Sequence, residues 1–138
     1  GHMALCGAEL TGCGCGGAGH LEEAASADWL ERRAKAAGLP ADFKSLWQMR
    51  AAPEAEAIIS PALEALARGI ASITVTLDPE AVILSGGMSR AAGLAEELAA
   101  RAQKYLPAPF RPYFTLKTSS LSGEAAVIGA ASLFRESL

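Results

Sequence analysis

Two thiols, an imidazole and a carboxylate lie close together near the start of the sequence. Cys13, Cys15, His20 and Glu22 fall within ten residues, and positions 14, 16, 17 and 19 between them are glycine. Glycine tolerates backbone angles that side chains forbid, so this loop can curl until the thiols and the imidazole converge. Thiolate and imidazole ligands favour zinc in a tetrahedral site. The alternative is a glycine-rich loop with two free thiols and a histidine at a helix start.

A fourth ligand would strengthen the zinc interpretation. His2 and Cys6 are both within reach of the loop. The first three residues, Gly1, His2 and Met3, also match the remnant of a cleaved purification tag followed by a start codon. His2 is therefore either part of a native motif or a cloning scar, and both interpretations stay open at this point.

Length and composition predict a single globular domain. The chain has 138 residues, of which 51% are hydrophobic, which is enough for a core of ordinary size. A net charge of -3 with scattered Lys and Arg argues against nucleic-acid binding. The apolar runs are expected to be too short to span a bilayer, and no leader is recognised, which favours a soluble, cytoplasmic protein. Three cysteines do not make a disulfide framework.

Helices are expected to position this loop. The pattern predicts helices over 21–26, 27–37 and 42–50, with Ser26 capping the second, and core packing for Trp29 and Trp47. Residues 53–77 are apolar at helical spacing, and Pro61 is expected to divide them into a short and a long helix. Few charges interrupt this stretch, so the long helix is expected to be covered on most sides, within the domain or at a subunit contact.

The second half of the chain predicts a strand, a glycine turn and further helices. Residues 81–84 form a short apolar run typical of a buried strand, and Gly86 and Gly87 follow directly. Such a turn before a helix can bind phosphate or a nucleotide, or it can be an ordinary turn that needs glycine for its backbone angles. A helix over 93–106, a strand over 113–117 and a helix over 123–134 complete the pattern. Gly129 would let the last helix approach another backbone or a flat ligand.

Together these residues resemble the ROK family of bacterial sugar kinases and repressors, in its C-terminal portion. The family's zinc loop reads G-H, a spacer, then C-x-C-G-x-x-G-C-L-E, and the sequence here matches it except that His20 replaces the third cysteine. Imidazole is an equally competent zinc ligand, so the resemblance implies a zinc site of His2, Cys13, Cys15 and His20. In such kinases the histidine of G-H and the glutamate after the loop hold sugar hydroxyls, which implies His2 and Glu22.

The resemblance extends to a nucleotide site. Residues 77–89 are similar to the family's strand and glycine turn that lie against the adenosine of ATP, and residues 125–131 are similar to its closing helix. Three ordered matches are more specific than one, so the resemblance favours a functional role for the turn. It implies that Gly86, Gly87, Met88 and Gly129 bind the cofactor, ATP with magnesium.

The resemblance implies an α/β fold, helix-rich with a small sheet, which is part of the C-terminal lobe of an actin-like or hexokinase-like ATPase. Residues 1–138 are expected to be one domain, with a zinc and sugar loop over 1–22 and a nucleotide-binding strand, turn and helix over 77–93. The family's N-terminal lobe carries a phosphate motif and a general base, and no such segment precedes His2, so the chain is expected to be an inactive fragment that lacks this lobe.

The leading hypothesis is the C-terminal part of an ATP-dependent kinase of a hexose or N-acetylhexosamine, expected to be a homodimer. One alternative is the sugar-sensing domain of a ROK transcriptional repressor. Another is a structural dimerisation module held together by zinc.

Overall fold

The computed structural model describes residues 1–5, 12–121 and 124–134. Within these ranges the chain forms six α-helices, two short strands and one 3-10 turn. The helices are α1 (Leu21–Ala25), α2 (Ala27–Ala36), α3 (Phe43–Gln48), α4 (Pro53–Leu77), α5 (Leu94–Gln103) and α6 (Ala125–Ser132). The strands are β1 (Val82–Leu84) and β2 (Leu116–Thr118), and the 3-10 turn is Met88–Arg90.

Local capping explains where the first helices begin. The Ser26 hydroxyl accepts a hydrogen bond from the N–H of Trp29 at 3.1 Å, as predicted for the start of α2. The Asp42 carboxylate accepts one from the N–H of Ser45 at 2.8 Å at the start of α3. The same Ser45 N–H is the largest cause that holds the pKa of Asp42 below its usual value. The three predicted helices over 21–50 are confirmed, with bounds that differ by only a few residues.

Helix α4 corrects the expected break at Pro61, because Pro53–Leu77 is one continuous helix of 25 residues. Proline has no N–H to donate to the carbonyl of Ala57, but Pro61 is exposed, so water can solvate this carbonyl instead. The neighbouring Ile59 and Ala62 are almost fully buried on the opposite side. Core packing on both sides of Pro61 therefore keeps the two halves of α4 in line.

Helix α4 forms the centre of the core. Helices α1, α2 and α5 pack against it, and ten of its residues are buried: Ala55, Ile58, Ile59, Ala62, Leu63, Ala67, Gly69, Ile70, Ala71 and Thr74. Its other face, with Arg68 and Val75, is exposed in the single chain, so the described domain covers α4 on one side only. Coverage of the other side at a subunit contact stays a prediction. By length and composition α4 could cross a membrane, contrary to expectation, but core helices of soluble proteins pass the same test.

The two strands form a small parallel sheet. Val82 pairs with Leu116 and Leu84 with Thr118. Val82, Leu84 and Leu116 are partly buried against the core, whereas the Ile83 side chain is 54% exposed on the opposite face. The predicted strands are therefore present, but β1 is buried on one face only and β2 begins later than expected. The glycine turn after β1 leads first into the 3-10 turn, and α5 begins only after Gly93, whose φ is 80°.

Candidate functional site

The first residues of the chain pair with the end of the glycine-rich loop. The N–H of Leu5 donates to the carbonyl of Gly19 at 2.7 Å, and the N–H of Leu21 donates to the carbonyl of Met3 at 2.8 Å. On the other side of His2, the N–H of Glu22 donates to the carbonyl of Gly1 at 2.9 Å. Together these bonds fix the backbone on both sides of His2, which brings its side chain to the loop.

Four predicted metal ligands converge beside this pairing. The ligand atoms of His2, Cys13, Cys15 and His20 all lie within 4.8 Å of one another. Cys15 Sγ lies 3.4 Å from His20 Nδ1, and the rings of His2 and His20 meet edge to face at 5.3 Å. Tetrahedral zinc with Zn–S of about 2.3 Å and Zn–N of about 2.0 Å needs a sulfur-to-nitrogen distance of about 3.5 Å. The donor set and its spacing therefore fit zinc, while Cys6, the other candidate, lies outside the described residues.

Glycines shape the loop in two different ways. Gly16 and Gly19 adopt φ angles of 88° and 78°, which side chains rarely reach, as expected for a tightly curled loop. Gly17 has no such angle, but a Cβ built on it would lie 2.7 Å from His20 Cε1 and 3.6 Å from Cys15 Sγ. Gly17 is therefore required for space. A Cβ on Gly14 would meet nothing within 4 Å.

The protonation of Cys13 reflects its neighbours. A backbone hydrogen bond from Cys15 lowers the pKa of the Cys13 thiol, but the Cys15 side chain, burial and the charge of Glu22 outweigh it and raise this pKa overall. Thiolates, not thiols, bind metal. A metal held by both sulfurs must therefore displace the proton of Cys13.

Glu22 and His2 lie at the edge of this cluster. Glu22 Oε2 is 3.6 Å from His2 Nε2, and the side chains are 50% and 59% exposed, respectively. An imidazole has two ring nitrogens, so one nitrogen of His2 can contact Glu22 while the other acts as a ligand in the cluster. A carboxylate and an imidazole that both face solvent can hydrogen-bond a ligand rich in hydroxyl groups.

Glu23 is a residue whose role the sequence reasoning missed. Its Oε1 accepts from the N–H of Gly12 at 2.7 Å, and its Oε2 accepts from the N–H of His20 at 2.8 Å. The His20 N–H is the largest cause of a lowered pKa at Glu23. The signal was available, because glutamate three positions after a helix cap is the acidic member of a capping box.

The predicted nucleotide residues Gly86, Gly87 and Met88 line a cleft of about 930 Å³. Phe43 and Trp47 of α3 also line this cleft; both are almost fully buried and give it apolar surface. Nothing lies within 4 Å of the position of a Cβ on either glycine, so the glycine wall is open to a ligand.

Trp47 connects two segments that line this cleft. Its indole N–H donates to the carbonyl of Ala92 at 3.0 Å, just after the 3-10 turn. The structure does not bring Gly129 to the cleft: no described residue of α6 is buried, and a Cβ on Gly129 would meet nothing within 4 Å. Three of the four predicted nucleotide residues are therefore brought together.

Comparison with known proteins identifies the family. A model of the ROK family matches residues 1–137, which include the cluster of His and Cys side chains and the cleft. The chain belongs to the ROK family. It is 32% identical to a glucokinase from Thermotoga maritima over 90% of its own length, and 30% identical to an N-acetylmannosamine kinase from Vibrio cholerae over 99%. The resemblance predicted from the motifs is confirmed.

A solved structure of the ROK family confirms the fold class. A ROK glucokinase from Streptomyces griseus, in complex with glucose and AMPPNP, matches 96% of the chain with a TM-score of 0.78 and 25% identity. This ROK chain therefore has part of an actin-like ATPase fold. It spans about half the length of the proteins it matches: 45% of the glucokinase from Thermotoga maritima and 49% of the solved chain.

Proposed function

We propose that this chain is the C-terminal portion of a ROK sugar kinase that transfers a phosphoryl group from ATP to a hexose or N-acetylhexosamine. The observation that carries the proposal is its identity, at 30% or more, to a glucokinase and an N-acetylmannosamine kinase over most of its length. Because these relatives are kinases, the alternative of a repressor's sugar-sensing domain is not favoured.

The metal cluster and Glu22 support a sugar site at one end of the chain. Zinc held by His2, Cys13, Cys15 and His20 would cross-link the loop to the first residues of the chain. Glu22 follows this loop directly, so it would be held rigidly with its carboxylate open to solvent. Hydrogen bonds between an ionised carboxylate and hydroxyl groups are strong and directional, which suits recognition of a sugar.

The glycine cleft supports a nucleotide site. The solved glucokinase relative was crystallised with AMPPNP, an analogue of ATP. Gly86 and Gly87 present backbone without Cβ atoms, and Phe43, Trp47 and Met88 supply apolar surface for a flat base. Magnesium is expected with the phosphates of ATP. Phosphoryl transfer needs both substrates positioned together with a base, and the chain spans about half the length of its kinase relatives, so turnover is expected of the full-length protein.

The experiment is a kinase assay on the full-length protein, with ATP and either glucose or N-acetylmannosamine. Glu22→Gln should raise the KM or Kd for the sugar by about 10- to 150-fold, which corresponds to roughly 1.5–3 kcal/mol for hydrogen bonds to a charged group. The matched control is Glu54→Gln, because Glu54 is an exposed carboxylate at the second position of α4 and should leave sugar binding unchanged.

Two results would contradict the proposal in different ways. No ATP-dependent phosphorylation of any hexose or N-acetylhexosamine by the full-length protein would overturn the kinase assignment. An active enzyme in which Glu22→Gln and Glu54→Gln bind sugar equally well would remove Glu22 from the sugar site but leave the kinase assignment in place.

A further inference from the structure

We propose that Glu23 is a positioning residue for the metal centre, because its carboxylate closes the loop that carries the ligands. This inference rests on the metal site of the proposed function. It concerns a residue that touches no metal itself and acts through the backbone of the ligand loop.

The geometry assigns one carboxylate oxygen to each end of the loop. Oε1 of Glu23 holds the amide of Gly12, immediately before the ligand Cys13. Oε2 holds the amide of His20, which is itself a ligand. A carboxylate has several lone pairs and accepts both bonds at once, whereas two separate side chains would each have to be ordered. Glu23 therefore fixes the separation of Gly12 and His20.

The loop needs such a clamp because its own bonds are few. Gly12, Gly16 and Gly19 all have positive φ angles, and glycine loses more conformational freedom on ordering than any other residue. Two backbone bonds close the tip of the loop, from the N–H of Gly16 to the carbonyl of Cys13 and from the N–H of Cys13 to the carbonyl of Gly17. The base of the loop is closed by the Glu23 clamp.

Glu23 is itself well anchored. It is the third residue of α1, and its own N–H donates to the carbonyl of His20 at 3.0 Å. Helix α1 packs against α4, the centre of the core. A negative charge in the first turn of a helix is also favourable. The clamp therefore transmits the rigidity of the core to the ligand loop.

The test compares zinc affinity in the 138-residue chain, measured by competition with a chromophoric chelator. Glu23→Gln keeps the size of the side chain, but its amide can accept only one of the two bonds and turns an NH₂ group toward the other N–H. Zinc affinity should fall by about 10- to 100-fold, the range for groups that orient metal ligands. In the absence of metal, Cys13 and Cys15 should react faster with an alkylating reagent in Glu23→Gln than in the unmodified chain.

The matched control is Glu96→Gln. Glu96 is also the third residue of its helix, α5, and its side chain is exposed. Its variant should keep both the zinc affinity and the thiol reactivity of the unmodified chain. Glu23→Asp retains the charge but shortens the reach by one methylene group, and we expect a loss of affinity between those of the unmodified chain and Glu23→Gln.

The outcomes separate the inference from the metal site. If the unmodified chain takes up no zinc, both are overturned. If it binds zinc and Glu23→Gln binds it equally well, only the inference on Glu23 is overturned. One further measurement needs no variant and so does not depend on whether a variant folds. In the metal-free unmodified chain, the amide hydrogens of Gly12 and His20 should exchange more slowly than that of Gly14. Equal exchange rates would also overturn the inference.

Discussion

At the scale of single residues, the space around Gly17 decides whether the proposed metal ligands can converge. Alanine is compatible with its backbone angles, but the added Cβ would lie 2.7 Å from His20 Cε1. We expect Gly17→Ala to weaken zinc binding by roughly tenfold or more, comparable to the loss of a group that orients a ligand. The measurement is chelator competition on the 138-residue chain.

Gly14→Ala is the control for this prediction. Gly14 lies in the same loop, also without a positive φ, and a Cβ there meets nothing within 4 Å. Equal zinc affinities for the Gly14 and Gly17 variants would show that His20 does not need its observed position to bind metal.

The behaviour of Glu23 changes how Glu22 must be tested. Adjacent glutamates on a helix point about 100° apart, so Glu23 would be the obvious control for Glu22. Its carboxylate, however, accepts bonds from the N–H groups of Gly12 and His20, so replacing Glu23 would itself disturb the loop. A loss of sugar binding in a Glu23 variant would follow from a disturbed ligand loop, so Glu54 replaces it as the control.

At the scale of elements, Pro61 weakens α4 without breaking it. Pro61→Ala should restore the N–H that can donate to the carbonyl of Ala57 and should remove the clash of the ring with the preceding turn. We expect the free energy of unfolding to rise by about 1–3 kcal/mol, since proline in a helix interior costs about 3 kcal/mol relative to alanine. Urea unfolding followed by circular dichroism measures this change.

Pro53→Ala provides the comparison within the same helix. Pro53 is the first residue of α4, where a missing N–H is harmless and the fixed φ angle is already suitable. Its replacement should leave stability unchanged or lower it by less than about 1 kcal/mol. A Pro61→Ala variant no more stable than the unmodified chain would mean that the helix does not gain the expected bond.

The cleft between α3 and the glycine turn depends on Trp47. In Trp47→Phe the aromatic ring remains, but the hydrogen bond to the carbonyl of Ala92 is lost. We expect the KM for ATP of the proposed full-length kinase to rise about fivefold, which corresponds to about 1 kcal/mol for one neutral hydrogen bond, with the KM for sugar unchanged. Steady-state kinetics with each substrate varied in turn measures both values.

Trp29→Phe is the control for Trp47. Both indoles lie under an arginine side chain, Arg33 over Trp29 and Arg50 over Trp47, but Trp29 does not line the cleft. A merely structural effect should appear in both variants as lower thermal stability. A rise in the KM for ATP that is equal in the two variants would contradict a positioning role for Trp47.

At the scale of the whole molecule, Arg101 joins α5 to α4. Its guanidinium binds Glu97 at 2.9 Å within α5, and Glu64 at 3.4 Å and the Ser60 hydroxyl at 3.1 Å on α4, with its side chain only 18% exposed. Arg101→Met should lower the free energy of unfolding by about 1–3 kcal/mol, because several charge-assisted bonds are lost at once. Urea denaturation of the 138-residue chain measures it.

Arg32→Met shows what an exposed ion pair contributes. Arg32 binds Asp28 at 3.0 Å, but the two side chains are 70% and 78% exposed, so its removal should change stability by no more than about 0.5 kcal/mol. Similar losses for the two arginine variants would mean that the Arg101 network adds nothing beyond a surface pair.

The sequence by itself determined the features that depend on neighbouring residues. Ser26 and Asp42 cap their helices through bonds that span three positions, so α2 and α3 could be predicted from local chemistry. Cys13, Cys15 and His20 are close in sequence, and their motif, together with the glycine turn and the closing helix, predicted the resemblance to the ROK family. Short-range spacing is sufficient for such features, since few backbone angles separate the groups involved.

Only the tertiary structure decided the features that depend on distant contacts. Burial of Ile59 and Ala62 keeps α4 continuous through Pro61, although local propensity predicted a break. The hydrogen bond from Trp47 to Ala92 joins segments 45 positions apart. Helix α6 has no buried residue among those described, so Gly129 does not pack beside the glycine turn. Packing free energy summed over many contacts exceeds the preference of any single residue, and those contacts exist only once the chain has folded.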